Sequence, residues 1–163
     1  MDRFDDGCWV SQVCFYQKTN FYNFGRLLII MVEIKVNKRI TVNQLLTLYK
    51  SAGFVEEKWS YDSKRLQTML DHTQLTATMW ENGQLIGMAR CLTDYEDSCY
   101  LSEIVILPAY QRKGLGKQLL KTIQAYLGSR VTIVLRADPE AIGFYKALGY
   151  QKLSKLVRIR REA

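Results

Sequence analysis

A short basic turn with two glycines is the segment of this chain best suited to binding an anion. It lies between an apolar, β-branched run from Leu101 to Leu107, which Pro108 stops, and an amphipathic helical pattern. A strand, a glycine turn and a helix start together make an anion site, because the free N–H groups of the first helical turn and the positive end of the helix dipole converge there. We interpret the turn as a pyrophosphate cradle, formed by Gln111, Arg112, Lys113, Gly114, Leu115, Gly116 and Lys117.

Backbone freedom and charge both favour this interpretation of residues 111–117, which we call the cradle. Gly114 and Gly116 let the backbone approach a phosphate closely, because they have no Cβ. Arg112, Lys113 and Lys117 bring mobile positive charge to the same place. A strand–turn–helix connection without a ligand is the open alternative.

Two other phosphate-binding motifs do not fit the turn. A dinucleotide fingerprint requires a glycine where this chain has Leu119. A P-loop requires a glycine in place of Gln111 and a serine or threonine in place of Gln118. The turn therefore belongs to neither motif.

The distribution of charge agrees with a polyphosphate ligand. The 163 residues have a formal net charge of +7, and the basic residues cluster in segments 111–121 and 152–163. Nucleic acid is the competing partner for such a pattern. No recognised nucleic-acid motif occurs in the sequence, so we expect no nucleic-acid partner.

The composition limits which metal sites, cellular compartments and membrane partners are expected. The four cysteines lack zinc spacing and disulfide-scaffold density, which indicates free thiols in a reducing, cytoplasmic compartment. His72 is the single histidine, which excludes a multi-histidine metal site, and we expect no metal. The apolar run from Leu27 to Val32 is far shorter than the roughly 20 residues that span a membrane, and we expect no membrane partner.

The periodicity predicts one α/β domain, with antiparallel strands first and then two strand–helix units that make neighbouring strands parallel. Asn82-Gly83 predicts a type I′ hairpin, and Asp138 is predicted to cap a helix that has Pro139 in its first position. The predicted strands are Val32–Val36, Leu75–Glu81, Gln84–Thr93, Cys99–Leu107 and Val131–Leu135, with final strand material at Tyr150–Leu153 and Leu156–Ile159. The predicted helices run from the cap Thr41 to Gly53, over Lys64–Leu70, from the cradle to Gly128 and from Pro139 to Gly149.

The first 30 residues differ from the rest. They are rich in aromatic residues but have poor helical or strand periodicity, and Met31 directly precedes a clean strand pattern. We predict that residues 31–163 form a single domain. Residues 1–30 are predicted to be an extension that is poorly ordered or not native.

The sequence resembles the GNAT superfamily of acyl-CoA-dependent N-acetyltransferases, and the segments from Leu48 to Phe54 and from Leu85 to Arg90 are similar to its small-amine members. The segment from Gln111 to Gly116 matches the family signature Q/R-x-x-G-x-G/A, between a strand and a helix. A second family block is matched by Ala141, Phe144, Tyr145, Leu148, Gly149 and Tyr150. The resemblance implies a mixed α/β sheet with a splayed parallel pair, and a homodimer is compatible with it.

The resemblance also implies a donor and a way of holding it. The donor would be acetyl-CoA, with its pyrophosphate on the cradle and Phe144 in the cofactor site. In the family, the strand before the cradle carries a β-bulge and splays from its parallel neighbour, and the pantetheine arm lies in the gap. The matching positions are Ile104, Val105 and Ile106, and a backbone N–H near Ile104 would polarise the thioester carbonyl.

Two residues are candidates for proton transfer. Tyr145 falls on the family's tyrosine position, where a phenol gives a proton to the departing thiolate. The alternative for Tyr145 is core packing beside Phe144. Glu103 is the candidate base for the attacking amine, and a water chain is the other route. The alternative for Glu103 is an ion pair with Arg90 or another cation across the sheet.

The acceptor is expected at the end of the cleft away from the cradle. The acidic turn at Asp94 and the aromatic residues Phe54, Trp59 and Tyr61 are the candidate binding residues. Acidic and aromatic groups suit a small-molecule or peptide amine through charge and cation–π contact. The alternative is an ordinary exposed turn and core aromatics.

Acetyl transfer from acetyl-CoA to a primary amine by direct attack is therefore the predicted function. Cys91 and Cys99 have no general-base partner in view, which argues against an acyl-enzyme. The competing interpretation is a GNAT-like module that binds CoA or docks a partner without chemistry.

Overall fold

A mixed β-sheet organises the computed structural model, which describes residues 17–21, 30–53 and 62–154. Over these residues the sheet has six strands in the order of the chain. All neighbouring strands are antiparallel except the last pair, which is parallel. The strands are β1 (Gln17–Phe21), β2 (Ile30–Val36), β3 (Leu75–Glu81), β4 (Gln84–Thr93), β5 (Ser98–Ile106) and β6 (Thr132–Leu135). This confirms the predicted α/β class and mixed sheet.

Four helices accompany the sheet in the described ranges. They are α1 (Val42–Ala52), α2 (Ser63–Asp71), α3 (Leu115–Leu127) and α4 (Ile142–Ala147). Two 3₁₀ turns, Pro108–Tyr110 and Pro139–Ala141, precede α3 and α4. None of these helices combines the length and apolar character needed to cross a membrane.

Local signals set the helix ends. Thr41 accepts a hydrogen bond from the Gln44 backbone, while the Gln44 side chain accepts one from the Thr41 backbone, so a capping box starts α1. Gly53, with a φ of +63°, ends α1. The Asp62 carboxylate caps α2 by accepting from the N–H groups of Lys64 and Arg65. The predicted cap and end of α1 are confirmed.

The hairpin between β3 and β4 follows the predicted turn. Asn82 and Gly83 have φ values of +48° and +80°, as the type I′ geometry requires. β4 is buried along most of its length, which makes it the central strand of the core. The inner face of α3 covers the sheet with Leu115, Leu119, Leu120, Ile123 and Leu127, the apolar set that its periodicity predicted.

The C-terminal part of the prediction is wrong in two places. The segment from Tyr150 to Leu153 is irregular rather than a strand, because the Tyr150 N–H donates to the Tyr145 carbonyl and is not available to a ladder. The Asp138 side chain makes no capping hydrogen bond, and its carbonyl instead closes the 3₁₀ turn onto Ala141. The other predicted strand segment, residues 156–159, lies outside the described residues.

The N-terminal segment contains one element that periodicity did not predict. β1 pairs with β2 from Gln17 opposite Ile34 to Phe21 opposite Ile30. The strand lies within the predicted extension, residues 1–30, and most of that extension lies outside the described residues. The division of the chain at Met31 stays a prediction.

Gly87 of β4 has little room for a larger residue, because the Val105 backbone oxygen beside it cannot rotate away as the Ile106 side chain can. A Cβ at this position would lie 2.6 Å from Cδ1 of Ile106 and 3.2 Å from the Val105 carbonyl oxygen. We expect Gly87→Ala to lower the free energy of unfolding by about 1–3 kcal/mol, as overpacking does, measured by urea denaturation. Gly143→Ala is the matched control, because its Cβ would meet nothing within 4 Å in a helix. Equal stability of the two variants would contradict the prediction.

Candidate active site

The strand before the cradle contains a β-bulge. Arg90 of β4 lies opposite Glu103, whereas the next residue, Cys91, lies opposite Leu101. Ser102 is therefore one extra residue in β5, which is what defines a bulge and bends the strand. The bulge that the resemblance implied for this strand is present.

β6 leaves β5 at the same level. The parallel pairing ends where Leu101 lies opposite Leu135, although β5 continues to Ile106. In the part of the chain that the structure describes, no strand pairs with the outer edge of residues 102–106. A gap opens along this edge, which we call the β5 gap.

Backbone groups of two β5 residues point into the β5 gap. The Leu107 N–H donates to the Ile86 carbonyl of β4 at 2.9 Å. Backbone groups alternate in direction along a strand, so those of Val105 also face β4 while those of Ile104 and Ile106 face the gap. Of the three predicted pantetheine positions, these two offer polar groups and Val105 is a core residue.

The cradle turns the chain from β5 into α3. Nε2 of Gln111 donates to the Ile106 carbonyl at 3.0 Å. Gly114 is the N-cap and has a φ of +78°, a left-handed conformation that favours glycine. The first bond of the helix runs from the Gln118 N–H to the Gly114 carbonyl, so the N–H groups of residues 115–117 have no acceptor within the helix.

The basic and apolar side chains of the cradle differ in their exposure to solvent. Arg112, Lys113 and Lys117 are exposed, whereas Leu115 is buried and offers only its backbone. Nζ of Lys113 lies 5.3 Å from the centre of the Tyr110 ring, a cation–π contact. Positive charge therefore surrounds the free N–H groups of α3.

Tyr110 ties the cradle to the hairpin between β3 and β4. Its hydroxyl donates to Oε2 of Glu81, the last residue of β3. This hydrogen bond, with a smaller effect of burial, raises the pKa of Tyr110 to about 12. The phenol stays protonated at neutral pH and holds the start of the cradle against the sheet.

α4 places Phe144 against the cradle, and Tyr145 packs beside it. A Cβ on Gly116 would lie 3.3 Å from Cζ of Phe144 and 3.9 Å from Cδ1 of Ile104, so β5, α3 and α4 meet here. Tyr145 is buried, with its ring centre 5.1 Å from that of Phe144 and 5.7 Å from that of Tyr150. Burial, with smaller effects of Tyr150 and Asp138, raises the Tyr145 pKa.

Glu103 has partners on both carboxylate oxygens. Nε of Arg90 lies 3.0 Å from Oε1, and Nη2 of Arg90 lies 3.1 Å from Oε2. The Tyr49 hydroxyl of α1 also donates to Oε1. The cross-sheet ion pair weighed as the alternative to a base role is therefore present.

A cavity of about 550 Å³ lies between α2 and β4, on the side of the sheet that faces α1 and α2. Its walls combine apolar side chains with a basic rim, and Arg90, which is only 5% exposed, lies at its base. The lining residues are Asp62, Lys64, Arg65, Thr68, Met69, His72, Arg90 and Leu92. Since Arg90 lies opposite Glu103, the cavity reaches the sheet beside the bulge.

Asp94 lies apart from this assembly. Its carboxylate accepts hydrogen bonds from the N–H groups of Asp97, Glu96 and Ser98, at 2.9, 2.9 and 3.1 Å. The four paired residues 98–101 separate this turn from the β5 gap, a distance of about 13 Å along a strand. The structure therefore does not bring Asp94 to the gap, and its carboxylate closes the turn.

The aromatic residues Phe54, Trp59 and Tyr61 lie outside the described residues, so their predicted contact with the acceptor stays a prediction. Sequence reasoning missed three polar contacts near the site. Tyr49 counted as a helical core residue, and Ser102 and Tyr110 had no assigned role. Their contacts depend on strand register and helix packing, which no local motif signals.

Comparison with known proteins identifies the enzyme class of this chain and the family to which it belongs. The chain matches the acetyltransferase (GNAT) family over residues 42–150. It is 33% identical over 135 residues to the uncharacterized N-acetyltransferase ycf52 of Gracilaria tenuistipitata var. liui, covering 79% of this chain and 72% of that protein. The corresponding protein of Pyropia yezoensis is 28% identical over 159 residues, covering 85% and 89%. The chain is an enzyme of the acyltransferase class, and it belongs to the acetyltransferase (GNAT) family.

Solved structures agree on the fold. A GNAT-family acetyltransferase of Streptococcus pneumoniae superposes with a TM-score of 0.63 at 22% identity, covering 81% of this chain and 100% of that one. The aminoglycoside N-acetyltransferase AAC(6')-Iy in complex with CoA superposes with a TM-score of 0.59 at 19% identity, covering 81% and 95%.

The residues present fit a CoA group. The space above Gly114 is open, since a Cβ there would meet nothing within 4 Å, and free N–H groups with exposed cations border it. The outer edge of β5, which no described strand pairs beyond Leu101, leads from there to the bulge. Within the described residues, no group of three or more histidine, cysteine, aspartate or glutamate side chains is arranged to hold a metal ion.

The Asp94 turn should make stability depend on pH. The N–H groups of Asp97, Glu96 and Ser98 lower the Asp94 pKa to about 2 from an ordinary 3.8. Because its pKa is lower in the folded state than in the unfolded state, the ionised Asp94 carboxylate stabilises the fold above about pH 4. That contribution is lost as the pH falls toward 2. We expect the difference in unfolding free energy between wild type and Asp94→Asn to shrink over this interval in urea titrations. A difference that stays constant down to pH 2 would contradict the assignment.

Proposed function

We propose that this enzyme transfers the acetyl group of acetyl-CoA to a primary amine by direct attack of the amine nitrogen. The observation that carries the proposal is the meeting of three elements at Gly116: β5 through Ile104, the N-terminus of α3 and Phe144 of α4. On this proposal, the anion-binding groups of α3, the strand-like hydrogen-bonding groups of β5 and the phenol of Tyr145 act on one bound donor.

Different residues of the chain would bind different parts of the donor. The N–H groups of residues 115–117 and the side chains of Arg112, Lys113 and Lys117 would bind the pyrophosphate. The backbone groups of Ile104 and Ile106 would bind the pantetheine arm as a neighbouring strand does. The donor supplies an activated acetyl group, and the Ile104 N–H would stabilise negative charge on its carbonyl oxygen.

The proposed reaction needs one proton removed and one proton supplied. The amine nitrogen bonds to the acetyl carbon, the carbon–sulfur bond breaks, and the products are an amide and the CoA thiol. Tyr145 would give its proton to the departing sulfur and recover one from solvent; its raised pKa keeps it protonated at neutral pH. We assign removal of the amine proton to water, because both oxygens of Glu103 already accept hydrogen bonds from the protein.

Direct attack agrees with the state of the cysteines. Cys91 and Cys99 are free, and they are 0% and 1% exposed in the sheet. A hydrogen bond between them, followed by burial, raises the pKa of Cys91. The same hydrogen bond lowers the pKa of Cys99, but both thiols are buried in the sheet and have no access to a thioester, so no acyl-enzyme is proposed.

We propose the cavity between α2 and β4 as the acceptor site. It reaches the sheet at Arg90, beside the bulge where β5 and β6 part. Its volume suits a small-molecule amine or the end of a peptide, and its basic rim favours an acceptor that carries acidic groups beside the reacting amine. Among the similar proteins are the histone acetyltransferase TAP1 of Glycine max, which is 37% identical over 73 residues (44% of this chain), and the aminoglycoside N-acetyltransferase named above. The names of these two proteins refer to acceptors of different sizes, a histone and an aminoglycoside.

Replacing Tyr145 by phenylalanine tests the acid. The ring stays in its packing between Phe144 and Tyr150 while the proton donor is lost. We expect kcat to fall about 100-fold or more, with unchanged affinity for CoA in calorimetry. Tyr150→Phe, which removes a neighbouring hydroxyl bonded to Gln124, should keep nearly wild-type turnover. Wild-type kcat in Tyr145→Phe would remove the acid role, and a wild type that binds CoA but acetylates no amine would favour a binding module.

Filling the cavity tests the acceptor site. Leu92 lines the cavity and is 40% exposed, so Leu92→Trp adds bulk there without disturbing the core. We expect KM for the amine to rise about 10-fold or more, with KM for acetyl-CoA unchanged. Leu153→Trp is the control, because Leu153 is also exposed but lies in a groove beside β6. An unchanged KM for the amine in Leu92→Trp would refute this site.

A further inference from the structure

The ion pair at the base of the cavity is buried and fully engaged. The side chains of Arg90 and Glu103 are each 6% exposed, and two hydrogen bonds of 3.0 and 3.1 Å join them. The Tyr49 hydroxyl donates to the same carboxylate. A buried charge pair is costly unless its remaining hydrogen-bonding capacity is also used, as it is here.

The same guanidinium also forms a hydrogen bond with the bulge residue. Nη2 of Arg90 donates to Oγ of Ser102 at 2.8 Å, and Nη1 donates to Oγ1 of Thr73 at 3.3 Å. Ser102 is the extra residue of β5, and Glu103 follows it. Arg90 therefore holds both the inserted residue and its neighbour from the opposite strand.

The position of the bulge decides which N–H groups enter the β5 gap. Cys91 lies opposite Leu101 before the bulge, and Arg90 lies opposite Glu103 after it. Without the extra residue, the register would slip by one and reverse the direction of every following backbone group. The N–H of Ile104 would then point to β4 instead of the gap.

We propose that Arg90, Glu103 and Tyr49 act as positioning residues, a clamp on the Ser102 bulge that aims the Ile104 N–H into the gap. On this proposal, Glu103 does not remove the proton of the amine. The proposal rests on the proposed function, since it assigns the Ile104 N–H to the reacting carbonyl.

Tyr49 and Arg90 both keep their protons around neutral pH. Burial, followed by the charge of Glu103, raises the pKa of Tyr49. Burial alone would lower the pKa of Arg90, but its hydrogen bonds and attraction to Glu103 raise it. Tyr49 therefore remains a hydrogen donor and Arg90 a cation, as a fixed clamp requires.

Three substitutions test the clamp at different points. Glu103→Gln removes the charge, Tyr49→Phe removes one donor to the carboxylate, and Ser102→Ala removes the contact with the bulge. The matched control is Glu96→Gln, which makes the same change in an exposed pair with Arg130 at the same 3.0 Å distance.

We expect each test variant to lower kcat by about 10- to 100-fold, as small displacements of reacting groups do. The affinity for CoA and the shape of the pH profile of kcat/KM should stay as in wild type. Glu96→Gln should match wild type throughout. A base role predicts a different pattern: Glu103→Gln alone would lose turnover together with the acidic limb of the profile, while Tyr49→Phe and Ser102→Ala would keep wild-type kcat. That pattern would overturn the proposal.

A second measurement does not depend on turnover. In ¹⁵N spectra, Tyr49→Phe and Ser102→Ala should shift the backbone amide of Ile104 and speed the hydrogen exchange of the Val105 amide, which faces β4, while the amide of Ile123 in α3 stays unchanged. An unmoved Ile104 amide in both variants would overturn the clamp, even if no amine is acetylated. Loss of turnover in the wild type with this amide response intact would instead refute the proposed function alone.

Discussion

In the described part of the chain, no strand pairs with the backbone N–H and carbonyl groups on the outer edge of β5 beyond Leu101, and the site is arranged around this edge. Buried backbone groups need partners, so an unpaired edge beside a packed core favours a ligand that can act as a strand. α3 begins at one end of the edge with three N–H groups unused by its own helix. The edge and the helix start therefore offer successive hydrogen-bonding groups to one elongated molecule.

The open edge of β5 is held in position by contacts on the other side of the strand, where β4 lies. β4 lies in the centre of the core, and its Arg90 is tied to Glu103, Ser102 and Thr73. Tyr49 extends this support to α1. The polar groups are concentrated where the strand is irregular, while apolar residues fill the neighbouring positions of β3 and β4.

Features encoded over short distances along the chain were predictable. The hairpin at Asn82-Gly83, the Thr41 cap and the inner face of α3 depend on residues within a few positions of one another, and all match the structure. The cradle is also local, because one glycine and the helix that follows it define the free N–H groups. The gap was foreseen only through the family resemblance.

What sequence could not decide depends on register and packing between distant segments. The choice between a base and an ion pair for Glu103 required knowing that Arg90 lies opposite it and that Tyr49 reaches it from α1, 54 positions away in the chain. Asp94 fits an amine site by chemistry, but three N–H groups of its own turn occupy it. The strand expected at Tyr150–Leu153 failed because the end of α4 uses the Tyr150 N–H.

The contact of Phe144 with Gly116 links the order of the chain to the order of assembly. The cradle and α3 are contiguous and can form early, since helices need only local contacts. The ring that packs against Gly116 comes from α4, a later segment that follows β6 in the chain. An incompletely folded chain would thus carry the anion-binding turn without its aromatic wall, so the complete binding path belongs to the fully folded domain.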